Sequence, residues 1–79
     1  MRQRHVARLR FTQRVAENLP EVMRLLVQAS STDEALASIA ALLGADEVEV
    51  MTGLAHFDLL TLTRPATEGR LLALAELEP

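Results

Sequence analysis

With 79 residues, no cysteine and two histidines far apart, the chain has room for one domain on a single thin core. Neither a disulfide nor a His/Cys metal site staples it, so self-association is the expected source of further stability. Its 49% hydrophobic residues are chiefly Leu and Ala, with two Phe and no Trp or Tyr, which favours helices over strands; the net charge is −3, and the longest uncharged run, Ala35 to Ala45, falls well short of the ~20 apolar residues that span a bilayer, so a cytoplasmic chain with no membrane partner, no signal sequence and no cofactor is expected.

The first element is an Arg-rich helix over about residues 4–19. It has no breaker, and Phe11, Val15 and Leu19 fall on one face at i, i+4, i+8. All eight cations of the chain are Arg, and five of them, Arg2, Arg4, Arg8, Arg10 and Arg14, lie in the first fourteen positions, where there is no acid. From Val15 onward three Arg face eleven Asp and Glu, so the head carries about +5 and the body about −8. This polarity suits docking on an acidic surface. Contact between these five Arg and nucleic-acid phosphates is the other reading, opposed by the lack of stacking aromatics and by a pI near 5.2.

Pro20 fits a helical first turn but not an interior, so Asn18-Leu19-Pro20-Glu21 either starts a second helix or kinks a continuous one. Val22, Leu25, Leu26 and Ala29 then form the i, i+3, i+4, i+7 stripe of a helix with one buried face. Next, Ser31 is placed to cap a helix in which Glu34, three positions on, reaches back to the Ser31 amide. Leu36, Ile39, Ala40 and Leu43 supply its stripe, and Gly44 sits where a left-handed C-terminal cap is wanted.

Two stretches read both ways. Asp46-Glu47-Val48-Glu49 offers a capping box, yet Glu47 to Met51 also alternates polar and apolar as a strand does. Phe57 to Thr63 is short, apolar and Thr-containing, and has the same ambiguity. Pro65 then opens a last helix running to about Leu77, with Leu71, Leu74 and Leu77 as its seam and Gly69 a local weak point.

Chemistry is sparsely represented. His56 and Asp58 would share a face and form an acid/base pair on a strand, but diverge on a helix, where Phe57 would be the buried residue. Gly44, Gly53 and Gly69 stand singly, so there is no phosphate-binding glycine loop. The acidic pairs Asp33/Glu34 and Asp46/Glu47 mark helix starts, where capping explains them. No catalytic, cofactor or metal residue is assigned, and the chain is expected not to be an enzyme.

The order of motifs resembles the lower dimerisation gate of the A-type subunit of bacterial type IIA topoisomerases, DNA gyrase and topoisomerase IV. There, a helix leading into L-D-E-V-I-x-L-I-R-x-S is followed by a capped helix and then by I-L-D-M-R-L-Q-R-L-T. This chain offers Leu19-Pro20-Glu21-Val22-Met23-Arg24-Leu25-Leu26-Val27-Gln28-Ala29-Ser30, a helix opened by Thr32-Asp33-Glu34 and closed at Leu43-Gly44, and Leu54-Ala55-His56-Phe57-Asp58-Leu59-Leu60-Thr61-Leu62-Thr63. Asp58, Leu60 and Thr61 stand where the family has its arginines and glutamine, and the tyrosine that cleaves DNA in that family has no counterpart. The resemblance implies a paired helical interface, with Leu54, Phe57, Leu59, Leu60 and Leu62 meeting a second copy or a topoisomerase subunit. A weaker similarity, to the start of a GAF-type sensor domain, would make Glu47 to Val50 a strand.

The expected protein is thus a single all-α domain of four or five helices over residues 1–79, a homodimeric, non-catalytic interaction module. A small DNA-binding regulator using the Arg-rich helix, and an accessory subunit or small enzyme using His56, are the rival readings.

Overall fold

The computed structural model describes residues 2–77, with side chains from His5 onward. Those residues form five α-helices and one 3-10 turn: α1 (Arg2–Glu17), α2 (Leu19–Gln28), α3 (Thr32–Leu43), α4 (Glu47–Ala55), the turn Leu59–Leu62, and α5 (Arg64–Leu77). There is no strand among the described residues, so the small all-α bundle expected from the Leu/Ala composition is present.

Each boundary has a local cause. Asn18 separates the first two helices: its amide N–H donates to the Arg14 and Val15 carbonyls and its side-chain amide donates to the Arg14 carbonyl at 2.8 Å, closing α1. Pro20 lies in the first turn of α2, where its missing N–H has no helical partner to lose. The chain therefore starts a second helix rather than bending one, and Leu19 belongs to α2, not to the Arg-rich helix. Ser31 Oγ accepts from the Glu34 amide at 3.1 Å, while Glu34 Oε2 accepts from the amide of Ser30 at 3.0 Å, one residue earlier than the expected capping box places it. At the other end of α3, Gly44 adopts φ 66°, and the amides of Gly44 and Ala45 both return to the Ala40 carbonyl.

The two ambiguous stretches resolve differently. Asp46 accepts from the Glu49 amide at 2.7 Å and starts a helix, so Glu47 to Val50 is not the strand that a GAF-type start requires. Phe57 to Thr63 is neither strand nor α-helix; its centre is the 3-10 turn.

The core joins Phe11 and Val15 of α1, Val22 of α2, Ile39, Ala40 and Leu43 of α3, and Val50 of α4. Leu19, Leu25, Leu36, Leu54 and Phe57 close over it, partly buried. Gly53 permits this packing on the α4 side: a Cβ built there would lie within 3 Å of three ring carbons of Phe11, so the ring rests directly on helix backbone.

Helix α5 joins in another way. It packs on α1 and on the 3-10 turn, yet its buried residue is Arg70, 6% exposed, and not one of the expected seam leucines. Leu71 is exposed, and Leu74 and Leu77 are half-buried.

The molecule measures 40 × 25 × 18 Å with a radius of gyration of 12.8 Å, against about 11.6 Å for a compact domain of this length. Its accessible surface is 5,671 Å², whereas a compact monomer of 8.7 kDa exposes about 4,700 Å². Both values reflect an elongated shape.

Candidate functional site

The segment from Leu54 to Leu62 divides into an anchored half and a displayed half. Leu54, in the last turn of α4, and Phe57, just beyond it, lie half-buried against the chain's own core. Beyond them Asp58 reverses the chain: its Oδ1 accepts from the Leu60 amide at 2.9 Å, and its carbonyl accepts from the Thr61 amide at 3.0 Å and the Thr61 hydroxyl at 2.6 Å. Leu62 is half-buried. Leu59 and Leu60, by contrast, stand 67% and 73% exposed.

The turn is fixed from behind by Arg70. Its guanidinium donates to the Thr61 carbonyl at 2.7 Å, to Gln13 Oε1 of α1 at 2.9 Å and to Thr67 Oγ1 at 3.2 Å. One buried side chain thus ties the turn, α1 and α5 together using the fixed fork geometry of guanidinium. No local signal marks this role in the sequence, because Gln13 and Arg70 are 57 positions apart and the pair shares no periodicity.

The arginines of the head serve different ends. Arg14 reaches the Leu43 carbonyl at 3.5 Å, where the last carbonyls of α3 favour a cation. Arg8 is exposed along a groove between α1 and α4, and Arg10 is exposed with an interaction of its own. The side chains of Arg2 and Arg4 lie outside the described residues.

That groove has a volume of about 920 Å³. Arg8, Phe11 and Thr12 line one side, and Glu47, Glu49 and Gly53 the other. His56 and Asp58 sit at its end, His56 closing α4 and Asp58 capping the turn. No hydrogen bond joins them among the described residues, and the Asp58 carboxylate is occupied by the Leu60 amide. A smaller groove of about 540 Å³, lined by Leu26, Leu36, Met51 and Leu54, lies between α2, α3 and α4.

No protein-family profile, curated protein or solved structure matches the chain.

The shifted titrations lie away from both grooves. On the surface of α2, the hydrogen bond from Arg24 holds the Glu21 carboxyl below its ordinary range, and the same bond raises Arg24. Among the described residues no group of three His, Asp or Glu side chains is placed to hold a metal ion, and no helix is long and apolar enough to cross a membrane.

Proposed function

We infer that the chain is a helical interaction module that pairs with a second copy of itself through the face built around Leu59 and Leu60. The observation that carries this reading is the rigid display of those two side chains. They are large, apolar and exposed, yet the turn beneath them is held by the Asp58 cap and by Arg70. A preorganised apolar projection loses little entropy on docking, which favours association over mere solvent exposure.

Leu71 and Leu72 of α5, the helix packed on the turn, add further exposed apolar surface. In the terms of the topoisomerase resemblance, such a module is a gate-like pairing element without the cleaving tyrosine: a homodimeric adaptor, or a modulator seated on another gate.

The test is the double substitution Leu59→Asp with Leu60→Asp. Both side chains are exposed in the single chain, so helix content by far-UV circular dichroism should hold. The mass in solution should fall to that of one chain, because an unpaired charge in the interface core is strongly disfavoured. An unchanged dimer in this variant would move the interface elsewhere.

A further inference from the structure

The groove between α1 and α4 is unused by the Leu59–Leu60 face but runs up to it, since Phe57, Asp58 and Thr61 belong to its lining. Its walls carry opposite charge. Arg8 stands exposed on the α1 side; Glu47 and Glu49 stand exposed on the α4 side. Among the described residues none of these three groups forms an ion pair or side-chain hydrogen bond.

A surface that pairs with its own copy across a two-fold axis must be self-complementary. Where it carries charge, both signs must be present and displaced from one another; this groove meets that condition, whereas a lone acidic or basic patch would repel its own copy. The geometry points to a second copy of this chain as the occupant of the groove, with Arg8 of the partner subunit set against Glu47 and Glu49, and the reciprocal contact made on the other side of the axis. Half-buried Phe57 offers apolar surface along the groove on which the methylenes of an arginine can lie while the guanidinium reaches the carboxylates. The chain-wide separation of a basic head from an acidic body is then read as a docking code, in which electrostatic pairing sets the orientation and the Leu59–Leu60 face supplies the apolar contact. This assignment rests on the self-pairing proposed above.

The experiment uses the full chain and, as its main variants, Arg8→Glu, the pair Glu47→Arg with Glu49→Arg, and the Leu59→Asp, Leu60→Asp pair. Self-association is followed by sedimentation equilibrium, with circular dichroism to confirm helix content. Each charge variant alone should pair with itself about tenfold or more weakly than the wild type, because like charges then face each other. An equimolar mixture of the two charge variants should recover a dimer, since opposite walls again meet. Milder Arg8→Gln and Glu49→Gln chains should weaken pairing less, which guards against misfolding as the cause. Wild-type pairing should also weaken as salt rises. Charge variants that dimerise like the wild type, or a mixture no tighter than its components, would overturn the groove assignment. If the leucine variant is then the only one that dissociates, self-pairing stands and the groove alone fails. A monomeric wild type would remove both.

Discussion

The guanidinium of Arg70 donates to the carbonyl oxygen of Thr61 at 2.7 Å, from a position with 6% of its surface exposed, and so carries the 3-10 turn on helix α5. Gln13 and Thr67 take its other bonds, and among the described residues no carboxylate pairs with it. The cation is therefore held by neutral acceptors. Removing the side chain orphans the Thr61 carbonyl and takes the buried centre out of the α5 attachment.

Arg70→Ala should destabilise the fold by about 2–4 kcal/mol, read from urea unfolding followed by far-UV circular dichroism. Arg70→Lys should recover only part of this, since an ammonium cannot present the same fork to Thr61 and Gln13. Pairing should weaken in both, because the turn under Leu59 and Leu60 loses its support. An Arg70→Ala chain as stable as the wild type would mean that α5 is held by its half-buried leucines alone.

Gly53 and Gly69 should respond in opposite directions to the same substitution. Gly53→Ala pushes a Cβ into the Phe11 ring and should cost about 1–3 kcal/mol despite the better helix propensity of Ala. Combining it with Phe11→Leu should return part of that loss. Gly69 has nothing within 4 Å of its built Cβ, so Gly69→Ala should stabilise by about 0.5–1 kcal/mol. Thermal unfolding of the variants side by side settles the contrast.

Much of this architecture is legible in the residues because it is local. Ser31, Gly44, Asp46 and Pro20 act within four positions of themselves, and the stripes Phe11/Val15 and Ile39/Ala40/Leu43 follow a single period. Where the expectation for Phe57 to Thr63 stays divided, the deciding contact is distant: Arg70 selects the 3-10 turn from the far side of Pro65. Leu71 reads as a seam residue by spacing alone, yet α5 turns Arg70 inward because Gln13 and Thr61 await it there. The candidate face is half legible for the same reason. Leu54, Phe57, Leu59, Leu60 and Leu62 form one apolar run in the sequence, while the split into anchored and displayed members depends on where the core lies.

The cap at α3 should be worth about 1 kcal/mol. Ser31→Ala removes the acceptor of the Glu34 amide, and Glu34→Ala should cost less, because the Ser30 amide it serves is exposed and can turn to water. Unfolding midpoints in urea check both, and equal losses would mean that the two bonds act as one unit.

The Glu21–Arg24 pair should matter little at neutral pH. Its carboxyl titrates below the usual value of 4.5, so whatever it contributes is present above that value and lost as pH falls through the depressed one. Both side chains are about half exposed, and screening leaves a surface pair of this kind nearly neutral. Glu21→Gln should leave the unfolding midpoint at pH 7 unchanged within error, and a clear drop would show that the pair anchors α2.

Self-pairing of the chain is tested most directly by sedimentation equilibrium of the wild-type protein over a concentration series, with interference detection because the chain has neither Trp nor Tyr. The mass should rise toward that of two chains with concentration. A folded chain that keeps the mass of one copy throughout would contradict self-pairing.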